Sequence, residues 1–467
     1  VQQIATTLRK INRWWKTGRV ETVFLYKAVR SEFADIVNKL DEQRILSVIG
    51  PRRVGKSTLL FQTVDYLLKQ GVKPEYILFF SGDEPGLFTG ETNLGDVIDA
   101  YEADILQDNI YNLGERIYVF IDEIHFIKEW QLWLKSYYDK KWNIKFIVSG
   151  SSSTHLFQGS KESLMGRIEN VRVLPLNHKQ FVKFSSIYGN ANDMQEFLDK
   201  LPSFSFFENP KEYAEEILKG KFDFDEYKIQ MIKVLREYLL AGGYPEYFEG
   251  TSILLWQKKL AEDIIIRGLY RDIVSIYSIK NPELLEKLLY FVADNNGQPH
   301  SYATLADTLG VDFSTISNYI NYLSNAFLIS VQENYSTNVG KVIRKNKKLY
   351  VTDNGIRNAL LRLNDFDAAD EGQLVENSSV QLVRSYCEEN LFKIHYWREN
   401  TREVDIIIDK KTDTLPIEVK YRNEITGKDL KGIKVFSETF GSKCSVVITK
   451  DLIKINDEIV FMPFWLI

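Results

Sequence analysis

The chain has 467 residues, with 59 Lys and Arg against 64 Asp and Glu, a formal net charge of −5. With 44% hydrophobic and 26% charged residues it has the balance of a folded globular protein, which excludes disordered, collagenous and coiled-coil chains. A pI of 5.8 excludes a bulk basic protein of the histone kind but leaves room for a local basic stripe. Two cysteines, Cys387 and Cys444, and five histidines supply neither a disulfide framework nor zinc-ligand spacing. No apolar run approaches the roughly 18 residues of a membrane helix, and the stretch from Val1 to Lys10 has no signal-peptide core. The expectation is a soluble cytoplasmic protein with no membrane partner and about three domains by length.

In chain order, residues 1–40 read as a helical segment, with Ile11, Trp14 and Trp15 and then Phe33, Ile36, Val37 and Leu40 at helical spacing. Over 41–180, apolar strands at Ile45–Ile49, Tyr76–Phe80, Ile117–Ile121 and Ile144–Val148 alternate with helical stretches. That alternation predicts a parallel sheet covered on both faces. Residues 181–278 read as a charged helical lid. Residues 279–363 contain the pair Tyr302–Leu309 and Ser314–Asn325, joined by Gly310–Phe313. This is helix-turn-helix spacing, and the strands of a wing are expected near 340–353. The acidic, polar stretch Asn364–Glu371 reads as a linker. A smaller α/β domain over 364–467 then has a helix Leu374–Glu389 and strands near Lys393–Arg398, Val404–Asp409, Pro416–Tyr421 and Ser445–Thr449.

Gly50-Pro51-Arg52-Arg53-Val54-Gly55-Lys56-Ser57 matches G-x-x-x-x-G-K-[ST] in full. A strand precedes it and a helix beginning at Thr58 follows it. Glycines let backbone N–H groups wrap phosphates, and the helix N-terminus adds partial positive charge. Lys56 is expected on the β- and γ-phosphates of ATP and Ser57 on Mg²⁺. The strand Ile117–Ile121 runs into Asp122 and Glu123. Asp122 is expected to hold Mg²⁺, directly or through water, and Glu123 stands where a base for the attacking water belongs. Ser149 and Ser151, at the tip of the next strand, are candidates to touch the γ-phosphate.

These residues resemble the AAA+-like P-loop ATPases, in particular an archaeal and bacterial group whose C-terminal region has no defined function. The likeness continues through Gly166-Arg167, Leu174-Pro-Leu176, Gly242-Gly-Tyr-Pro-Glu246, Tyr270-Arg-Asp-Ile273 and the pair Glu403-Val-Asp405 and Ile417-Glu-Val-Lys420. The resemblance implies an oligomer in which an arginine completes a neighbour's site. Arg167 is the first candidate and Arg271 a weaker one; Arg52 and Arg53, inside the loop, are assigned no separate role. One departure is that the group often carries Glu after Leu-Pro-Leu, where this chain has Asn177-His-Lys-Gln180.

The second helix of the pair offers Ser314, Thr315, Ser317, Asn318 and Asn321 but no Lys or Arg, so base readout from it would be weak. The run Lys341-Val-Ile-Arg344-Lys345-Asn-Lys347-Lys348 has five basic residues in eight, which suits a sequence-independent grip on the DNA backbone. Asp405, Glu418 and Lys420 form the D-x12-E-x-K pattern of the PD-(D/E)XK nuclease fold, whose acids bind Mg²⁺ while the lysine orients water. Glu376 fits a fourth carboxylate position.

The fold expected is therefore α/β: a P-loop NTPase parallel sheet with a helical lid, a winged helix and a PD-(D/E)XK nuclease-like domain. The function expected is a Mg²⁺-dependent ATPase acting on DNA as an oligomeric motor or processing factor. The alternatives are a nucleotide-gated signalling or assembly switch with protein-binding C-terminal domains, and a structure-specific nuclease regulated by ATP.

Overall fold

The structure is a computed structural model that describes residues 2–88, 92–150, 164–189, 194–220, 224–250, 252–337 and 345–467. It divides into two compact units, Val1–Leu174 and Pro175–Ile467.

The first unit is built on a five-stranded sheet: β1 (Ile45–Ile49), β2 (Ile77–Ser81), β3 (Ile117–Asp122), β4 (Ile144–Gly150) and β5 (Ile168–Arg172). The order is β2-β3-β4-β1-β5 and every pair is parallel. β1, β3 and β4 are buried along their whole length, which is why each reads as a continuous apolar run rather than an alternating one. The fifth strand is absent from the sequence reading. Ile168-Glu-Asn-Val-Arg172 has one fully buried side chain, so it carries no apolar run to recognise.

The edge strand β2 is covered by the N-terminal helices. The buried amide of Asn12 accepts from the Phe79 N–H at 2.7 Å and donates to the Phe79 carbonyl at 2.9 Å, standing in for a neighbouring strand. The indole N–H groups of Trp14 and Trp15 both donate to the Ile77 carbonyl, at 3.1 and 2.9 Å. Asn12, Trp14 and Trp15, at the break between the helices Gln2–Ile11 and Trp14–Thr17, thus close the sheet edge.

The second unit contains a nine-stranded mixed sheet. Its strands are β6 (Pro299–His300), β7 (Ile329–Asn334), β8 (Lys347–Val351), β9 (Lys393–Glu399), β10 (Arg402–Asp409), β11 (Thr414–Lys420), β12 (Ser445–Thr449), β13 (Lys454–Asn456) and β14 (Ile459–Pro463). They lie in the order β13-β14-β12-β11-β10-β9-β7-β8-β6. The helices Tyr302–Leu309 and Phe313–Asn325 precede β7. They are capped by Ser301 and Asp312 and bury Leu305, Ala306, Ile316, Ile320 and Leu323. The strands expected of a wing are not a separate hairpin: β7 pairs in parallel with β9 at Glu333↔His395 and Asn334↔Tyr396, joining them to the C-terminal strands.

The stretch Asn364–Glu371, read as a linker, is half helix. Asp367 caps the helix Ala368–Glu389 by accepting from Ala369 and Asp370 N–H, and Asp370 and Glu371 fill its first turn. Acids favour a helix N-terminus, so the composition that looked like a linker marks a helix start.

Two motifs far apart in the sequence meet in this unit. The Leu176 N–H donates to the Gly243 carbonyl at 2.6 Å, and the Gly243 N–H donates to Asp353 Oδ2 at 2.8 Å. A Cβ on Gly243 would fall 2.1 Å from the Leu176 carbonyl oxygen, and one on Gly242 would fall 2.0 Å from Asp353 Oδ1. Leu-Pro-Leu and Gly-Gly-Tyr-Pro are thus two sides of one packing contact. Asn177 and Gln180, where the resembled group has an acid, form a reciprocal capping box that starts the helix His178–Ile187.

Candidate active site

The loop between β1 and the helix Lys56–Lys69 is held by contacts that leave no room for larger residues. A Cβ on Gly50 would sit 1.9 Å from the Val173 carbonyl oxygen. Gly55 caps the helix at φ +94°, in the left-handed region, and Arg53 takes φ +65° beside it. Lys56 is buried, and its ammonium donates to the carbonyls of Gly50 (3.0 Å) and Pro51 (2.9 Å). The lysine therefore lies across the mouth of its own loop, where an anion would meet it.

The order β2-β3-β4-β1-β5 puts β4 between the loop strand and the strand that ends in acid. The carboxyl ends of all three converge. Ser57 Oγ donates to Asp122 Oδ2 at 2.6 Å, and the Ser149 hydroxyl donates to Asp122 Oδ1. The Glu123 N–H donates to both Asp122 Oδ1 (3.1 Å) and Ser149 Oγ (3.2 Å). Ser57, Asp122 and Ser149, all named from sequence, form one hydrogen-bonded group. Ser149 braces the acid, and Ser151 lies outside the described residues. The hydroxyl of Ser57 and the carboxylate of Asp122 are the hard oxygen donors that Mg²⁺ prefers, and the donor set fits that ion.

Glu123 adopts φ 46° and ψ 45°, an uncommon conformation for a residue with a side chain. A Cβ on Gly82 would fall 2.5 Å from the Glu123 carbonyl oxygen, so the small residue after β2 makes room for this turn. The Glu123 carboxylate lies 3.4 Å from Nδ1 of His125.

Sequence reasoning missed Arg30. Its guanidinium is buried, donates to the carbonyls of Val54 (3.0 Å) and Leu174 (2.6 Å), and pairs with Glu32 at 2.6 Å. It braces the phosphate loop from the N-terminal segment. No local pattern announces it, because its partners lie 24 and 144 residues away.

Arg167 is not beside the loop of its own chain. Its carbonyl accepts from Ile45, at the opposite end of β1, and its guanidinium grips Asp139 through two bonds of 2.8 and 3.2 Å.

In the second unit, Glu376, Asp405, Glu418 and Lys420 are gathered as expected. Asp405 lies where the register of β10 against β9 shifts between Val404 and Ile407. Those two residues, three apart, both join the apolar cluster of Trp397, Ile433 and Phe436. Asp405 Oδ2 accepts from the Val419 N–H at 2.9 Å, and Lys420 donates to Glu418 Oε1 at 2.5 Å. Burial, then the neighbouring Asp405, push the Glu418 carboxyl up to about 8. Glu376 is raised in the same direction, first by burial, and accepts from the Tyr350 hydroxyl at 2.9 Å.

The basic run behaves otherwise than expected. Lys348 points into this cluster, with its ammonium 2.6 Å from Glu403, 3.6 Å from Glu376 and 3.8 Å from Asp405. Burial alone would lower its pKa; Tyr350, Glu376, Asp405 and Glu403 outweigh that and hold it well above the usual range. Lys347 pairs with Glu333 at 2.5 Å, and Lys345 donates to Asn334 Oδ1 at 2.9 Å. Lys341 and Arg344 lie outside the described residues. Lys348, Glu403 and Tyr350 were missed as site residues because the run reads as solvent-facing charge until β8 is seen beside β7.

Comparison with known proteins agrees with the phosphate-loop geometry. Residues 42–182 match the family described as "AAA domain"; residues 232–367 and 371–467 match two families described as domains of unknown function. A protein of Haemophilus influenzae described as uncharacterized is 25% identical over 392 residues, 82% of this chain and 83% of its own. One of Methanocaldococcus jannaschii, likewise described, is 27% identical over 455 residues, 92% and 89% of the two chains. Among solved structures, the Walker-type ATPase paby2304 of Pyrococcus abyssi is similar over 72% of this chain and 96% of its own, at 15% identity and a TM-score of 0.44. Among the described residues, no helix is long and apolar enough to cross a membrane.

Proposed function

We propose that the protein is a Mg²⁺-dependent ATP hydrolase. The observation that carries this reading is the group Ser57–Asp122–Ser149, joined by hydrogen bonds at the carboxyl ends of β1, β3 and β4 beside a complete phosphate loop. The loop N–H groups and Lys56 bind the phosphates of ATP. Ser57 and Asp122 hold Mg²⁺, which supplies charge neutralisation at the transferring phosphoryl group. Ser149 orients Asp122, and Glu123 takes the proton of the attacking water.

Downstream of hydrolysis, the reading as a sequence-independent, oligomeric DNA-acting factor is supported by the two capped helices Tyr302–Leu309 and Phe313–Asn325. Their outer face carries the exposed polar residues Ser314, Asn318 and Asn321. A second reading, a nucleotide-gated switch whose C-terminal region binds protein, is favoured by a different observation. Lys347 and Lys348 pair with acids of their own chain instead of standing ready for phosphates. ATP turnover by the purified chain, alone and with duplex, single-stranded or branched DNA, tests both. Hydrolysis that any of these DNAs stimulates supports the first reading, and hydrolysis indifferent to all of them supports the second. Absence of Mg²⁺-dependent hydrolysis under every condition removes the enzyme reading.

A further inference from the structure

The nuclease-like pattern of Asp405, Glu418 and Lys420 calls for a divalent cation between its acids. The residues present do not fit one, because the position beside Asp405 is already filled. The side chain of Lys348 is 3% exposed, with its ammonium 2.6 Å from Glu403 Oε1, 3.6 Å from Glu376 Oε1 and 3.8 Å from Asp405 Oδ1. It also lies 5.5 Å from the centre of the Tyr396 ring, on whose face a cation is favoured. Three of the acid atoms also have protein donors, while Glu418 Oε2 is buried with no hydrogen-bond partner. Lys420 donates to Glu418 Oε1, the Val419 N–H to Asp405 Oδ2 and the Tyr350 hydroxyl to Glu376 Oε1. Among the described residues, no group of three or more acids, histidines and cysteines has the arrangement of a metal site.

Lys348 is not a long surface side chain that has happened to fold inward. It is on β8, the strand next to the sheet edge, paired through its backbone with Gln332 of β7 on one side and Pro299 of β6 on the other. The backbone position of the lysine is thereby fixed by both neighbours, and its side chain is buried against the acids. An unpaired charge in so dry a place would be costly, so the lysine and the acids hold each other there.

We propose that Lys348 is the resident cation of this acid cluster. The chain's own ammonium fills the side of the cluster bounded by Glu376, Glu403 and Asp405, and these three acids bind β8 instead of a divalent ion. The C-terminal constellation is then a lock between the strand after the helix-turn-helix pair and the C-terminal strands, not a metal-dependent cutting site. This inference does not rest on the ATPase reading.

The test counts Mn²⁺ bound to the nucleotide-free, full-length protein by electron paramagnetic resonance. The natural chain and Asp405→Asn should bind the same number of ions. Lys348→Ala should gain one Mn²⁺ per chain, and the double variant Lys348→Ala/Asp405→Asn should lose it again. Loss of a bound Mn²⁺ on changing Asp405 in the natural background overturns the proposal. A folded Lys348→Ala protein with no added ion overturns it too. If Lys348→Ala does not fold, the comparison of the natural chain with Asp405→Asn decides alone: equal counts uphold the internal cation, and a lower count in the variant refutes it.

Discussion

The Ser57 hydroxyl donates a 2.6 Å hydrogen bond to Asp122 Oδ2, although the two residues are 65 positions apart, Ser57 in the first turn of the helix that follows β1 and Asp122 at the end of β3, with β4 between those strands. The contact joins the two groups expected to share a magnesium ion, so weakening either should change how turnover depends on that ion. Asp122→Asn keeps the shape and removes the charge. The Mg²⁺ concentration for half-maximal turnover should rise by roughly 10–100-fold, the range seen when one support of a metal is lost. Ser149→Ala removes only the hydroxyl that braces Asp122 and should give a smaller shift in the same direction. Turnover measured against Mg²⁺ for the three proteins checks both, and an unchanged Mg²⁺ dependence in Asp122→Asn would assign the ion elsewhere.

Lys56 and Glu123 should separate binding from chemistry. The Lys56 ammonium now rests on two loop carbonyls, and an anion in the loop would compete for it. Lys56→Ala should weaken ATP by about 2 kcal/mol, roughly 30-fold, the scale of a hydrogen bond to a charged group. Glu123→Gln should bind ATP normally and lose about 10²–10⁴-fold in turnover, the contribution of a general base. Calorimetric binding with steady-state hydrolysis on the same preparations distinguishes them.

Arg167 should be nearly silent in stability. Its pair with Asp139 is partly exposed, and such pairs contribute about 0–1 kcal/mol. If it completes a neighbour's site, Arg167→Ala should lose turnover while the isolated chain keeps its ATP affinity. Mixing Arg167→Ala with Lys56→Ala should then restore part of the activity, since each variant spoils a different half of a shared site. No recovery in a mixture shown to exchange subunits would confine Arg167 to its contact with Asp139.

Asp353 gives a prediction in pH. Burial pushes its carboxyl up to about 6, while hydrogen bonds from the Gly243, Gly355 and Ile356 N–H groups pull the other way. In the unfolded chain an aspartate titrates near ~3.9. Between about pH 4 and 6 the folded protein holds the extra proton, so stability falls as pH rises through that window and is level above it. The loss is about 3 kcal/mol at most. Asp353→Asn cannot titrate, so the difference between its urea-unfolding curve and that of the natural chain should vary from pH 4 to 6 and stay constant from 6 to 7. A difference independent of pH throughout would mean that the carboxyl is not raised.

What could be read from the sequence follows the range of the interactions. The phosphate loop was legible because eight consecutive residues carry it, and Asp122 and Ser149 because each ends a buried apolar strand. Arg30 and Lys348 were not, because each is defined by partners far along the chain and neither sits in an apolar pattern. The run from Lys341 to Lys348 shows the limit most plainly. Five basic residues in eight look like one surface, yet strand geometry turns alternate side chains to opposite faces, and Lys347 and Lys348 meet different acids. The same alternation correctly put Glu418 and Lys420 together, because both belong to one strand.

The pairing of β7 with β9 bears on how the second unit can be divided. A fragment covering only residues 371–467 would keep Glu376, Glu403 and Asp405 but leave Lys348 behind. It would meet water with an unpaired β9 edge and a set of acids lacking their ammonium. Open strand edges recruit other chains, so such a piece is expected to associate with itself or with whatever strand it meets. A piece that keeps strands, lysine and acids together must begin before β6, whose Pro299 pairs with Lys348, so the acidic stretch near 364 is not a place where this half of the molecule divides.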